Sequence, residues 1–182
     1  MKTIVLYKSK SGFVKKYAQW IAEELSADIL DASKINTDRL ASYDTIIFGG
    51  SLHAVGINGI KIIKKNFDKI KDKNLIIFAS GASLSSEDIH QIIADNNFTP
   101  QEQKHIRLFY LRGGFDINKL PPIDKFLMIL MKKKIKGRKK RNIQLEQDEI
   151  GMLAVLEKPE DFTRKEYICE LVEYARSCSS HG

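Results

Sequence analysis

No stretch limits what this chain can fold into as tightly as residues 3–25. Thr3-Ile4-Val5-Leu6-Tyr7 is apolar and β-branched, with too little alternation for a strand that keeps one face wet, so it reads as a strand covered on both sides. After it, apolar residues fall at Val14, Tyr17, Ala18, Ile21, Ala22 and Leu25, the three-and-four spacing of one helix face. Between strand and helix stands Ser9-Lys10-Ser11-Gly12-Phe13-Val14. Backbone amides at a helix start, the positive end of its dipole and short hydroxyl donors converge in such a loop, which makes it a candidate phosphate cradle. The alternative is a plain strand-to-helix turn whose serines cap the helix.

The loop is neither Gly-x-x-x-x-Gly-Lys-Ser/Thr nor Gly-x-Gly-x-x-Gly. It resembles the Ser/Thr-x-Thr-Gly-x-Thr loop of flavodoxins, which wraps the terminal phosphate of FMN. Val14 stands where that pattern has its last hydroxyl. Loss of one donor to a charged group predicts phosphate binding weaker by about 1.5–3 kcal/mol, unless an amide or Lys10 substitutes.

Further along, Asp28-Ile29-Leu30-Asp31 is a brief second strand suited to a sheet edge. The polar stretch Ser33–Ser42 leads into a third strand around Thr45-Ile46-Ile47-Phe48, ending in Gly49-Gly50-Ser51, where glycines let the backbone approach a flat ligand. A glycine-rich loop over Gly50–Gly59 follows and carries His53, then a helix with Ile60, Ile63, Phe67 and Ile70 inward. Strand four is Leu75–Ala79, ending in Ser80-Gly81-Ala82-Ser83; a third helix, capped near Ser86, buries Ile89, Ile92 and Ile93. Strand five is Ile106–Leu111, with Arg112-Gly113-Gly114-Phe115 at its end.

Strand and helix therefore alternate, which predicts an α/β fold: an open parallel five-stranded sheet with helices on both faces and the site outside the carboxyl ends of the strands. Right-handed crossovers give the order 2-1-3-4-5. In that order strands one and three flank the switch point, so the Ser9–Val14 and Gly50–Gly59 loops face one crevice. The response-regulator receiver shares the order but needs acidic residues where this chain has Lys8-Ser9-Lys10 and Gly49-Gly50.

The 182 residues, 43% of them hydrophobic, suit a single domain spanning 1–182, with an insert over about 121–158. Within the insert, Ile123–Met131 is apolar nearly all round a helix. It runs into Lys132–Arg141, eight of whose ten residues are basic. Removing those eight from the 30 basic residues leaves 22 against 23 acidic, so the excess positive charge lies in this one segment. A packed face of Ile123, Phe126, Leu127 and Leu130 is expected, leaving Met128, Ile129 and Ile135 outward beside the lysines. Apolar residues next to basic ones suit an anionic membrane surface; a homodimer contact or a solvated loop is the alternative, and without interleaved aromatics nucleic acid is disfavoured. No pattern assigns 145–156. A last helix from about Pro159 buries Ile168, Leu171, Val172 and Ala175, with a capping box over Thr163–Glu166. It also carries Cys169 and Cys178, about 13 Å apart along such a helix and unable to pair within it. The chain starts on a core strand without a charged-then-apolar leader and has no run of ~20 apolar residues, which predicts a cytoplasmic protein, peripheral on the inner face of the membrane if the insert engages lipid.

The Met1–Tyr7 start, the phosphate loop, Tyr43-Asp44 before strand three, Gly49-Gly50-Ser51-Leu52, and above all Ile123–Lys132 followed by a polar loop and a last helix resemble the menaquinone-dependent protoporphyrinogen oxidases of the flavodoxin superfamily. That resemblance implies FMN as cofactor, its phosphate on Ser9, Lys10, Ser11, Gly12, Phe13 and Val14. The ring would lie between Ser51, Leu52, His53 and Ala54 on one side and Ser80, Gly81 and Ala82 on the other. It further implies an FMN-dependent oxidoreductase acting on a porphyrinogen-like substrate and a quinone. The alternative is a flavodoxin-type electron carrier that meets only a redox partner protein. No metal site is expected, and no catalytic acid or base matches a motif. Arg112 is either in reach of an anionic ligand or at the surface, Phe13 and Phe115 pack on the ring or on protein, and Trp20 is expected to cover the sheet edge.

Overall fold

The computed structural model describes residues 2–53, 55–82, 87–120, 122–141, 143–145, 149–150, 153, 156 and 158–178. In chain order the elements are β1 (Thr3–Lys8), α1 (Phe13–Leu25), β2 (Asp28–Asp31), β3 (Thr45–His53), β4 (Gly56–Ile57), α2 (Lys61–Lys65), α3 (Phe67–Ile70), β5 (Asn74–Gly81), α4 (Glu87–Asn97), α5 (Pro100–Gln103), β6 (Ile106–Arg112), β7 (Gly114–Phe115), α6 (Pro122–Lys140), β8 (Glu160–Asp161) and α7 (Cys169–Ser177). The main sheet runs β2-β1-β3-β5-β6, every neighbouring pair parallel. Its five long strands thus take the order 2-1-3-4-5 expected from the sequence.

Alternate residues of each strand serve opposite faces, and two cores result. Ile4, Leu6, Ile46, Phe48, Leu75 and Ile77 join Ile63, Ile70 and Ile93 from α2, α3 and α4 on one face. Val5, Ile47, Ile76, Phe78, Phe109 and Leu111 join Tyr17, Ala18 and Ile21 of α1 and Leu171, Val172 and Ala175 of α7 on the other. At about 1.5–3 kcal/mol per fully buried large side chain, these two layers hold the sheet. Trp20 lies partly buried against the second core, edge-on to Tyr17 at 5.7 Å between ring centroids.

Several expectations are corrected. The Gly50–Gly59 stretch is not an open loop: β3 continues to His53 and turns back through β4, with Leu52 opposite Ile57 and His53 opposite Gly56. Gly49 and Gly50 do not make room for a ligand. A Cβ at Gly49 would stand 2.0 Å from the Phe78 ring, and one at Gly50 2.4 Å from Ile57, so both glycines are required by protein packing. Ile92 is 46% exposed, because Ile93 with Ile89 already fills the inward stripe of α4. The cap proposed at Ser86 lies outside the described residues. Thr163 forms no capping box; its amide and hydroxyl both donate to Asp161 Oδ1. A capping box does form at Thr99 and Glu102, ahead of α5.

The largest departure is α6. It is a single 19-residue helix that continues through the basic run; Ile129 is exposed as expected, at 37%, but the rest of the face assignment does not hold. Ile123, Phe126, Leu127 and Leu130 point outward, whereas Ile135 is 5% exposed. Together with Ile135, polar contacts tie this inner face to the rest of the chain. Lys10 Nζ pairs with Asp124 Oδ2 at 2.6 Å, Lys132 Nζ donates to the Leu156 carbonyl at 3.1 Å, and Arg138 pairs with Glu149.

Candidate functional site

One pocket opens at the carboxyl ends of β1, β3 and β5. Its lining takes Lys10, Ser11, Phe13 and Val14 from the β1–α1 loop, Ser51, Leu52 and His53 from β3, and Ser80, Gly81 and Ala82 from β5. Gly114, Phe115, Leu120, Asp124, Leu127 and Met128 complete it. The cavity amounts to about 180 Å³, smaller than typical small-molecule sites of roughly 300–1,000 Å³, and it continues into open solvent.

The β1–α1 loop works through its backbone. Gly12 has φ +93° and ends the loop as the residue before α1; a Cβ there would meet nothing within 4 Å, so it is the left-handed backbone and not crowding that calls for glycine. The first bond of the helix runs from the Lys16 N–H to the Gly12 carbonyl at 3.0 Å. The amides of Phe13, Val14 and Lys15 precede it and lack a helical acceptor, as at any helix start. Ser9 does not line the pocket; its hydroxyl accepts the Gly12 N–H at 3.0 Å and shapes the turn. Val14 is 2% exposed, with its side chain in the core. Phe13 is 5% exposed, with Lys119 Nζ 5.1 Å from its ring centroid.

The other two loops are fastened from behind. The Gly113 N–H donates to the Gly81 carbonyl at 2.7 Å, and Arg112 Nε donates to the Ala82 carbonyl at 3.2 Å. Arg112 also lies 3.7 Å over the Phe162 ring, so it braces the turn after β5. Tyr17, pushed far up in pKa by burial, donates its hydroxyl proton to the Arg112 carbonyl and accepts from the Arg164 N–H at 3.4 Å. Tyr110, whose pKa burial raises to about 12, stays neutral beneath Gly81. The β3–β4 hairpin is pinned by Asn97, 6% exposed. Its Oδ1 accepts the Ile57 N–H at 2.8 Å, and its Nδ2 donates to the Val55 and Ile93 carbonyls, each at 2.8 Å.

Of the residues proposed from the sequence, ten line this one pocket, Ser9 and Gly12 form its turn, and Ala54 lies outside the described residues. His53 is exposed at the rim. His105 is bound to the Lys71 carbonyl and His90 stands beside Tyr110, 6.2 Å between ring centroids; His181 lies outside the described residues. Among the described residues no cluster of His, Cys, Asp or Glu is placed to hold a metal. Sequence reasoning missed the wall from α6 and the support from Asn97. A signal for the wall was present: Asp124 and Met128 lie one helical turn apart, and Ile135 continues their stripe. For Asn97 there was none.

This arrangement suits an elongated ligand with an anionic end and a flat apolar body. The lining combines Ser11 and Lys10, whose Nζ is held by Asp124, with the apolar side chains of Leu52, Phe115, Leu120, Leu127 and Met128.

Residues 4–142 match the profile of the flavodoxin domain. An uncharacterized protein of Methanocaldococcus jannaschii is 39% identical over 75 residues, 41% of this chain, which spans about half (49%) of that relative's length. Among solved structures, oxidised Flavodoxin 1 of Bacillus cereus aligns over 100% of this chain and 99% of its own at 12% identity and a TM-score of 0.47. A WrbA-like flavodoxin of Agrobacterium tumefaciens covers 46% of this chain and 62% of its own, at 27% identity and a TM-score of 0.41. With scores below 0.5, neither structure adds to what the sheet order and the profile establish.

Proposed function

The chain belongs to the flavodoxin domain family, and from that premise we propose that it binds FMN in the pocket described and acts as an FMN-dependent oxidoreductase. One observation carries the reading: loops from three separate strands, together with the start of α1, converge on a single pocket whose lining joins the donors Ser11 and Lys10 to apolar side chains. When bound, FMN supplies electron-transfer chemistry that no side chain here provides.

The chain's own residues bind and orient it. The α1 amides, the Ser11 hydroxyl and Lys10 hold the phosphate, with the helix dipole adding to their attraction. The turn Ser80–Ala82 and the hairpin at Ser51–His53 flank the ring, and the fastening by Gly113, Arg112 and Asn97 fixes their separation. Leu120, Met128 and the half-exposed Leu127 would border the ring on the α6 side. This third wall favours an enzyme over a pure electron carrier, which would leave the ring edge bare for a partner protein. The second substrate of the proposed enzyme is a flat, apolar redox molecule of the quinone or porphyrinogen class, stacked against the α6 wall.

Purified protein reconstituted with FMN is expected to titrate reductively in one two-electron transition and to reduce a soluble quinone catalytically. Two resolved one-electron transitions without quinone turnover would instead identify a carrier.

A further inference from the structure

The outer face of α6 has no role in the pocket apart from Leu127, and its composition changes along its length. Ile123, Phe126, Leu127 and Leu130 are 75%, 60%, 56% and 46% exposed. Their spacing places them on one stripe, and one turn further along the same stripe come Lys133 and Lys134, then Lys140 and Arg141, all exposed. At 1.5 Å per residue the helix is about 28 Å long, so the stripe is an extended strip, apolar at its N-terminal end and basic at its C-terminal end. The opposite face is already committed to protein, through Asp124, Lys132, Ile135 and Arg138. The outer face therefore cannot turn inward without breaking those contacts.

Single exposed apolar side chains are ordinary, but four in one patch joined to a row of cations are not. A second copy of the chain would have to meet this strip with its own. Such a contact can cover the apolar end but leaves the row of cations without acidic partners, because the rest of the chain, with 22 basic against 23 acidic residues, carries no excess of acid. Nucleic acid would use the cations and leave the apolar half in water. An anionic phospholipid leaflet satisfies both halves: its headgroups face the lysines while the apolar side chains enter the boundary with the acyl region. We propose that this face of α6 docks on the surface of an anionic membrane, with α6 lying in the plane of the interface. Among the described residues no helix is long and apolar enough to cross a membrane, so the attachment is peripheral. Because Leu127 belongs to both the strip and the pocket, the mouth of the pocket lies beside the docked surface. The proposal rests on the surface of α6 and stands whether or not FMN is the ligand.

The test is co-sedimentation of the full chain with vesicles of phosphatidylglycerol mixed into phosphatidylcholine, and with phosphatidylcholine alone, at low and high salt. Binding to the anionic vesicles at low salt is expected, weakened at least about tenfold at high salt, with little binding to phosphatidylcholine. Each charge near an anionic leaflet changes partitioning about fivefold, so K133E/K134E/K140E should lose a hundredfold or more. I123N/F126N/L130N, at exposed positions whose folding is checked by circular dichroism, should lose a comparable amount. The proposal is overturned by wild-type protein that stays in the supernatant at low salt, by equal binding to phosphatidylcholine, or by partitioning that the apolar variant leaves unchanged. It is also overturned by a concentration-dependent dimer that the apolar variant abolishes while no vesicle is bound, which would identify a second copy as the occupant.

Discussion

On the sheet side of the pocket, Ser80 and Gly81 end a strand paired along both edges, and the turns that reach the ligand space are fastened by buried groups such as Asn97. On the α6 side, Asp124, Leu127 and Met128 come from one helix held by ion pairs at the surface: Lys10 with Asp124, 35% and 24% exposed, and Arg138 with Glu149, 35% and 20%. Exposed pairs of this kind contribute about 0–1 kcal/mol each, whereas a buried hydrogen-bonding group left without its partner costs about 1–3. The difference teaches that one wall is part of the fold and the other is laid against it. Damage to the first should remove the site; changes to the second should tune it.

The largest effect is expected from S11A/G12V. Valine at φ +93° is strained by about 1–3 kcal/mol, and loss of the Ser11 donor removes a further 1.5–3 or so, so FMN affinity should fall at least about a hundredfold in a fluorescence titration. Affinity within a few-fold of wild type would place the cradle elsewhere. Next comes N97L, which leaves the Ile57 N–H and the Val55 carbonyl without their partner. We expect a loss of about 2–4 kcal/mol in urea unfolding. A loss below about 1 kcal/mol would show that the hairpin holds without it.

On the α6 side the comparison predicts smaller changes. D124N removes a carboxylate from the pocket and releases Lys10, and FMN affinity by calorimetry should rise about fivefold, the equivalent of about 1 kcal/mol. A fall would mean that the ion pair matters more for seating α6 than it opposes the phosphate. Smallest is G137A. A Cβ at Gly137 meets nothing within 4 Å, so relief of helical glycine should stabilise α6 by about 0.5–1 kcal/mol. This is read as slower amide exchange in residues 131–140 with the sheet unaffected; no slowing would mean that the end of α6 is already held by its side-chain anchors.

The same division governs how much the sequence revealed. The strands were legible because burial on both faces leaves continuous apolar runs such as Thr45–Phe48 and Leu75–Ala79, and the cradle because a glycine between serines stands at a strand-to-helix change. The α6 faces were misjudged because hydrophobicity alone placed Phe126 and Leu127 inward. The inner face instead carries Ile135 with Asp124, Lys132 and Arg138, whose partners lie elsewhere in the chain, which periodicity cannot see. Gly49 and Gly50 misled for a related reason. A glycine that faces a ligand and one that faces Phe78 or Ile57 look alike until the packing is known. Likewise, nothing around Asn97 announces that its side chain spans to a hairpin 40 residues away.

The central claim is that the end of the pocket at the start of α1 is a phosphate site for FMN. Its most direct test is parallel titration of the purified, flavin-free chain with FMN and with riboflavin, which share the ring and differ in the phosphate, following quenching of flavin fluorescence. The account predicts saturable binding of FMN at one site per chain, with riboflavin at least about a hundredfold weaker, the equivalent of losing one to two hydrogen bonds to a charged group. Equal affinity for the two, or no binding of FMN, would contradict it.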